Sequence, residues 1–202
     1  MSGESPENLP KPVSEKTPTP AAAPAAAAPA PAPKPTVVPW ESATVDGLKL
    51  TFGAGILEAA NYVGQNYLVI DRSVCHAVLA TLRQQYGYKS LTDLTAVHYP
   101  KDALPFEMVW ILYSMPSETR VRVKARFADG EEVPTLTDLW PAADWLEREV
   151  FDMFGIRFAG HPNLRRILLP DDWTGYPLRK DYGVQQQDNE WVRKNLGIES
   201  GQ

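Results

Sequence analysis

The feature that most constrains the fold of this chain is a long irregular segment, residues 155–182, that directly follows a short amphipathic stretch. The segment shows neither the two-residue period of a strand nor the 3.6-residue period of a helix. Between residues 158 and 182 it carries nine large apolar or aromatic residues, too many for a disordered linker. A structureless run of this length is uncommon inside a compact domain. We therefore predict an extended arm that lies along another protein.

The stretch before the arm, residues 144–154, is predicted to be a helix that Gly155 ends. Its apolar stripe consists of Leu146, Val150, Met153 and Phe154. Trp145 and Phe151 extend the apolar surface beyond this stripe. The helix is therefore expected to be buried on two sides, with a partner protein as its second cover.

Four charged residues share this helix: Glu147, Arg148, Glu149 and Asp152. Two neighbouring carboxylates could serve acid–base chemistry if one pKa were raised. No nucleophile or set of metal ligands accompanies them, so a role for Arg148 in bridging carboxylates of this helix and of a neighbouring element is preferred. His161 is expected to fix a turn by hydrogen bonding, because one imidazole cannot hold a metal.

Composition excludes several classes of function. The 202 residues indicate one domain with appendages, and a net charge of -5 argues against a general nucleic-acid footprint. One cysteine and three histidines cannot supply the ligands of an iron–sulfur cluster or a structural zinc. No nucleotide-binding glycine motif and no run of eighteen apolar residues is present. We therefore expect no cofactor in this chain, and any redox role must depend on partners.

Low-complexity sequence occupies residues 1–39, which contain eleven of the nineteen prolines. Such a segment cannot bury enough apolar surface to offset the entropy of ordering it, so it is predicted to be a disordered tail. It lacks the basic start and uninterrupted apolar core of a secretory signal. The chain then divides into this tail, a domain over residues 40–134, the helix and arm over 135–182, and a C-terminal tail over 183–202.

The predicted domain is α+β, with a small, mainly antiparallel sheet and flanking helices, because short connections favour antiparallel neighbours. Residues 119–127 alternate strictly, and their basic side is expected to face solvent rather than nucleic acid or an acidic partner. Cys75 and His76 are adjacent on a helix and do not face each other, so a packed thiol is preferred over a catalytic pair. The predicted elements are a short strand at 48–52, a hairpin at 56–70, a helix at 72–86, and strands at 91–99, 106–113 (the central strand) and 119–127.

The helix and arm resemble a known family. The residues that carry the resemblance are Glu147, Arg148, Glu149, Asp152, Met153, Phe154, His161, Arg165, Ile167 and Leu168, followed by DDWTGYPLRKDY. The pattern, over residues 135–182, is similar to that of the 30 kDa subunit (the C-type subunit) of the proton-pumping NADH:quinone oxidoreductase, respiratory complex I. The Ala/Pro-rich tail is not part of that family's usual pattern.

The resemblance implies a scaffold subunit without catalytic residues or a cofactor of its own. It implies a place in the peripheral arm of the complex, on the cytoplasmic side of the membrane, with FMN and iron–sulfur clusters held by partner subunits. The expected partners are the 49 kDa subunit (the D-type subunit), which the arm wraps, and the cluster-bearing B-type subunit. The assembled enzyme passes electrons from NADH to quinone and translocates protons.

The residues predicted to form the partner interface are Glu147, Arg148, Glu149, Phe151, Asp152, His161, Arg165, Arg166, Trp173, Tyr176, Arg179, Lys180, Asp181 and Tyr182. The cations of the arm are expected to pair with carboxylates of the partner. Two alternatives stay open at this point. One is the equivalent subunit of a related membrane-bound hydrogenase or ferredoxin-linked complex; the other is a free-standing soluble acid–base enzyme that uses Glu149, Asp152 and His161.

Overall fold

The computed structural model describes residues 36–183, 193–194 and 197. The predicted N-terminal tail up to residue 35, and most of the predicted C-terminal tail, lie outside the described residues. The described part opens with a strand, Val37–Pro39, so the folded domain begins a few residues before the boundary predicted at Trp40. Proline suits this position because the strand lies at the edge of a sheet.

Strands and helices are interspersed along the described chain. The strands are β1 (Val37–Pro39), β2 (Ile56–Tyr62), β3 (Gln65–Ile70), β4 (Ser90–His98), β5 (Phe106–Ser114), β6 (Thr119–Phe127), β7 (Val133–Pro134) and β8 (Phe158–Ala159). The helices are α1 (Ala43–Phe52), α2 (Cys75–Gln85) and α3 (Ala143–Phe154). The predicted helix over residues 144–154 thus corresponds to α3 within one residue.

Six of the described strands form one mixed sheet in the order β1-β2-β3-β6-β5-β4. Neighbouring strands are antiparallel except β3 and β6, which are parallel. A parallel pair is possible because the connection between them is long and contains α2, β4 and β5. The predicted α+β class with a mainly antiparallel sheet is confirmed, but the central-strand prediction is wrong, since β5 lies next to the β4 edge.

The helices cover one face of this sheet. Val121, Val123 and Ala125 of β6 point into the core and have no exposed surface. They pack in the same cluster as α2 and α3, through residues such as Leu79 and Val150. The alternation of β6 therefore positions the core face as the sequence predicted.

Two of the four basic residues of β6 are paired with acids of the same chain. Lys124 and Arg126 both contact Glu107 of β5, at 3.3 and 3.0 Å, and Arg126 also contacts Asp102 at 3.0 Å. Glu107 is buried, so these two cations are used within the sheet. On α2, Cys75 is buried, and burial raises the pKa of its thiol to about 12, so the thiol is unreactive at neutral pH.

The strand predicted at residues 48–52 is wrong, because this stretch is the second half of α1. The Ser42 side chain accepts a hydrogen bond from the Val45 backbone N–H at 3.2 Å and so caps the helix. Val45 and Leu48, three residues apart, are both buried on the inner face.

The predicted hairpin over residues 56–70 is confirmed as β2 and β3, with Val63 and Gly64 at its tip, both at positive φ.

Candidate partner-binding site formed by helix α3 and the C-terminal arm

The C-terminal arm, residues 155–182, folds back over α3. Gly155 ends the helix with φ +77, and a Cβ at this position would lie 2.5 Å from the Tyr176 ring, so only glycine fits the turn. Further along, the Leu178 backbone N–H donates to the Met153 carbonyl at 3.1 Å. The C-terminal end of α3 is thus covered by the chain itself, so the prediction that a partner supplies the second cover is wrong for this end, while Trp145 near the other end is 63% exposed.

Asp152 organises the central part of the arm. Its side chain is fully buried. Its Oδ2 atom accepts hydrogen bonds from three consecutive backbone N–H groups, those of Ile167, Leu168 and Leu169, at 3.0, 2.8 and 3.0 Å. Its Oδ1 atom accepts from the Arg166 guanidinium at 2.6 Å. One carboxylate therefore fixes the backbone of three successive arm residues and the side chain of the residue before them.

The Asp152 carboxyl is held as an anion. Burial alone would raise its pKa, but the Leu169 and Leu168 amides, the Arg166 side chain and the Ile167 amide together outweigh burial. The pKa of Asp152 therefore lies below its ordinary value. All four groups are donors, so none could accept a proton from a neutral Asp152.

Arg148 is buried, but its partners are not those predicted. Its Nε donates to the Arg165 carbonyl at 3.2 Å and its Nη2 donates to the Arg166 carbonyl at 3.4 Å. Its guanidinium also lies 5.1 Å from the centre of the Trp145 ring. The expected bridge between carboxylates is wrong. The irregular arm leaves carbonyl groups without regular partners, and Arg148 satisfies two of them.

Glu147 connects the helix to the segment that precedes it. Its side chain has no exposed surface. Its Oε1 accepts from the Leu136 backbone N–H at 2.7 Å, and its Oε2 accepts from the Thr135 hydroxyl at 2.6 Å. Burial raises the pKa of Glu147 to about 7, although both hydrogen bonds oppose this rise.

His161 fixes the turn at the start of the arm, as predicted. Its Nδ1 accepts from the Asn163 backbone N–H at 3.0 Å. Its Nε2 lies 3.2 Å from the Asp144 carbonyl oxygen and 4.0 Å from Oε2 of Glu147. Since Nδ1 accepts a hydrogen bond, the proton of the neutral ring is on Nε2 and is directed at Asp144.

The last part of the arm is anchored by Arg179. Its two terminal nitrogens donate to both carboxylate oxygens of Asp129, at 3.2 and 3.0 Å, and its Nε donates to the Phe154 carbonyl at 2.6 Å. Arg179, like Arg166, therefore has its carboxylate in the same chain. The expectation that the arm cations pair with a partner is wrong for these two, because a partly buried guanidinium must have its donors satisfied locally.

One further contact holds the end of the arm. The Lys180 backbone N–H donates to Nδ1 of His98 at 3.0 Å, and the His98 ring stacks on Phe106 with centroids 4.7 Å apart. His98 and Asp129 were not among the predicted site residues. They are 82 and 50 residues from their partners in the chain, and no local pattern indicates such a contact.

Several apolar side chains of α3 and the arm remain in water. Trp145 is 63% exposed, Leu168 62% and Leu178 50%. The backbone N–H groups of the two leucines are hydrogen-bonded to Asp152 and Met153. Both leucine side chains are therefore presented from a fixed backbone, as at an interface anchor.

The predicted interface residues separate into three groups by exposure. The exposed ones are Glu149, Arg165, Lys180 and Asp181. The half-buried ones are Phe151, His161, Arg166, Trp173, Tyr176, Arg179 and Tyr182. The buried ones are Glu147, Arg148 and Asp152, whose polar groups are used within the chain. The predicted interface set does not include Leu178, and Trp145 was predicted only to extend the apolar surface of α3. Both are exposed apolar residues.

The residues proposed for a soluble acid–base enzyme are not brought together. Glu149 is exposed, Asp152 is buried beneath the arm, and His161 contacts Asp144 and Glu147 instead. Within residues 36–183, 193–194 and 197, no group of three or more His, Cys, Asp or Glu side chains has the arrangement to hold a metal ion. In the same part of the chain, no helix combines the length and hydropathy needed to cross a bilayer.

Comparison with known proteins gives consistent matches. The sequence profile of the family described as "Respiratory-chain NADH dehydrogenase, 30 Kd subunit" matches residues 68–188. The C-type subunit of NADH-quinone oxidoreductase from Citrifermentans bemidjiense is 44% identical over 150 residues, which are 74% of this chain and 93% of that protein. The C/D-type subunit of NADH-quinone oxidoreductase from Acidiphilium cryptum is 50% identical over 123 residues, 56% of this chain and 21% of that protein.

A solved structure gives the same picture of the fold. A chain of the membrane-bound sulfane sulfur reductase, an archaeal respiratory membrane complex, matches with a TM-score of 0.63 at 25% identity, covering 76% of this chain and 89% of that chain. The profile match covers more than half of the sequence and includes α3 and the whole arm. The chain therefore belongs to the family of the 30 kDa subunit, the C-type subunit, of the respiratory-chain NADH dehydrogenase.

Proposed function

We propose that this chain is a non-catalytic scaffold subunit in the peripheral arm of an NADH:quinone oxidoreductase. The assembled enzyme would pass electrons from NADH through FMN and iron–sulfur clusters to quinone and translocate protons. The subunit would lie on the cytoplasmic side of the inner membrane, attached through the complex. The observation that carries this proposal is the 44% identity to a C-type subunit over 93% of that protein's length.

The proposed neighbours are the 49 kDa, D-type subunit and the cluster-bearing B-type subunit. Association with the 49 kDa subunit is supported by the Acidiphilium cryptum relative, whose name joins the C and D types in one protein. A scaffold role is supported by the arm, whose buried charged groups hold its own backbone in place. What remains available for a partner is the exposed set of α3 and the arm, with Leu168 and Leu178 as its apolar anchors.

Charge placed on these anchors tests the proposed interface. The double variant Leu168→Asp, Leu178→Asp is expected to fold as the unmodified subunit does, because both side chains are at least half exposed. Assembly into the complex should fall at least about tenfold, since two carboxylates would be buried without partners in an apolar contact. Native gels of membranes and NADH:quinone activity measure this loss, and both should fall together.

A matched control is Leu57→Asp on β2, where the leucine is 60% exposed and three strands lie between β2 and β4, the strand on which α3 packs. This variant should assemble normally. If the double variant assembled as well as Leu57→Asp, the exposed leucines would not be interface anchors. If it assembled but turned over slowly, the arm would act in catalysis rather than in assembly.

We also propose that the subunit binds no flavin, cluster or metal of its own. The purified full chain is expected to lack visible absorption bands and to contain no stoichiometric iron or zinc, because one cysteine and three histidines are too few ligands. Metal analysis and a visible spectrum after desalting test this expectation. A flavin band or stoichiometric iron that survives desalting would contradict it.

A second candidate is the equivalent subunit of a related membrane complex that does not use NADH. The observation that favours it is the fold match to a chain of the membrane-bound sulfane sulfur reductase. Mass spectrometry of the chains that purify with this subunit separates the two. NADH- and FMN-binding subunits among them indicate the oxidoreductase, and a hydrogenase-type or sulfur-reducing catalytic subunit indicates the alternative.

A further inference from the structure

We infer that Glu147 is a proton-binding site that changes charge within the folded subunit and is linked to the surface by the hydroxyls of Thr135 and Thr137. The site is formed by groups of this chain alone and does not require the assembly proposed above. The Glu147 carboxyl has no exposed surface and no cation among its hydrogen-bond partners.

The hydrogen bonds of Glu147 can be satisfied in both protonation states. Its Oε2 lies 2.6 Å from the Thr135 hydroxyl, which in turn lies 3.0 Å from the Thr137 hydroxyl. When Glu147 is ionised, Thr135 donates to it and accepts from the Thr137 backbone N–H at 3.3 Å. When Glu147 is protonated, it donates to Thr135, and Thr135 donates to Thr137. A hydroxyl can reverse in this way because it is both donor and acceptor.

Asp152, further along the same helix, has hydrogen-bond partners that suit only its ionised form. Its partners are three backbone N–H groups and a guanidinium, all of them donors that cannot reverse. Protonation of Asp152 would leave one donor facing a hydroxyl hydrogen. The two buried carboxyls of α3 are thus distinguished by the type of group that faces them.

The titratable groups near Glu147 come from α3 itself, the segment before it, the arm and α2. Asp144, on the same helix, and Asp138, in the preceding segment, both disfavour its ionised form. His161 places Nε2 4.0 Å from its Oε2, and that nitrogen is also 3.2 Å from a carboxylate oxygen of Asp144. On the solvent side of these groups, Nε2 of His76 on α2 lies 2.9 Å from Oδ2 of Asp138.

The hydroxyl chain provides the connection to solvent. Glu147 is fully buried, Thr135 and Thr137 are half-buried, and Asp138 next to them is exposed. A proton taken up by Oε2 therefore comes from water through two oxygens that are already in hydrogen-bond contact. Burial of the carboxyl raises its pKa to about 7, so both states would be populated near neutral pH.

The test is a carbon-13 NMR titration of the glutamate side-chain carboxyls in the full-length chain, from pH 4 to pH 9. One carboxyl resonance is expected to titrate with a midpoint of about 7, well above the ordinary glutamate value of 4.5. Glu147→Gln should remove that resonance, and Glu149→Gln, on the exposed side of α3, should leave it unchanged. A spectrum in which no glutamate titrates above pH 6 would overturn the inference, whether or not Glu147→Gln folds.

The role of the hydroxyls is tested by Thr135→Val, which keeps the side-chain shape. Both protonation states then lose a partner, but the bond to the ionised carboxylate is the stronger of the two and holds the pKa down. The midpoint should therefore move upward by about one pH unit. Thr81→Val, whose hydroxyl bonds the Ala77 carbonyl on α2 instead, is the matched control and should not move it. An unchanged midpoint in Thr135→Val would show that the Thr135 hydroxyl does not contribute to proton binding at Glu147.

Discussion

Replacement of Asp152 by alanine is expected to lower the free energy of unfolding of the subunit by about 3–5 kcal/mol, because it leaves a partly buried arginine and three N–H groups without their acceptor. The arm segment at residues 165–169 should then separate from α3 while the sheet stays folded, because the start of the arm, Ile156 and Phe158, is packed in the core cluster. Urea unfolding measures the stability. Trypsin reports the release of the arm, because Arg165 and Arg166 lie within the clamped segment.

The matched control is Glu149→Ala, which removes an exposed acid from the same helix. It should change the free energy of unfolding by less than about 0.5 kcal/mol and leave the tryptic fragments unchanged. Equal unfolding midpoints and equal fragment patterns for the two variants would show that Asp152 does not hold the arm.

The pH dependence of stability follows from the same contact. The pKa of Asp152 is lower in the folded chain than its ordinary value of 3.8. Its contribution is therefore fully present above pH 3.8 and is lost as the pH falls through the folded-state pKa. Glu147 has the opposite sign: its contribution is present below 4.5 and is lost as the pH rises toward about 7. Asp152→Ala should consequently lose less stability on acidification than the unmodified subunit.

Arg179→Ala is expected to destabilise the isolated subunit by about 2–4 kcal/mol, because three charge-assisted hydrogen bonds, to Asp129 and the Phe154 carbonyl, are lost. Arg165→Ala removes an exposed side chain whose backbone carbonyl still receives Arg148. It should leave the isolated subunit unchanged. Thermal unfolding of the two variants side by side measures the difference.

The comparison also separates two explanations of an assembly defect. If Arg179→Ala impaired assembly, its lower melting temperature would show that the fold of the arm is the cause. If Arg165→Ala impaired assembly with an unchanged melting temperature, a direct contact with the partner would be the cause. Equal stability of Arg179→Ala and the unmodified chain would contradict the anchoring role of Asp129.

Periodic elements were predictable because each is decided by neighbours in the chain. The alternation of residues 119–127 predicts β6 with the correct bounds, and the helical spacing after Asp144 predicts α3. The strand prediction at 48–52 is wrong because Leu48 and Leu50 alternate as in a strand, whereas in α1 Leu48 is buried with Val45 and Leu50 is exposed. The Ser42 cap starts the helix before this segment. The order of the strands depends on a long crossover, which spacing alone does not determine.

The arm could be recognised from sequence as ordered and irregular, but its partner could not. Its apolar content indicates that it packs against a protein surface, and part of that surface is its own α3 and the neighbouring sheet. The pairing of Arg179 with Asp129 and of Lys180 with His98 spans most of the domain, and no residue pattern predicts it. Arg148 donates to backbone carbonyls of the arm rather than to carboxylates, and only the path of the arm determines this choice.

Hydrogen–deuterium exchange of the free full-length subunit tests most directly whether the arm is folded before it meets a partner. The backbone amides of Ile167, Leu168 and Leu169 all donate to Asp152. In the unmodified free subunit they should exchange at least about a hundredfold more slowly than in an unstructured peptide, equivalent to roughly 2.7 kcal/mol of opening free energy. In Asp152→Ala this protection should be lost. Exchange of the three amides at the unstructured rate in the unmodified free chain would contradict a prefolded arm.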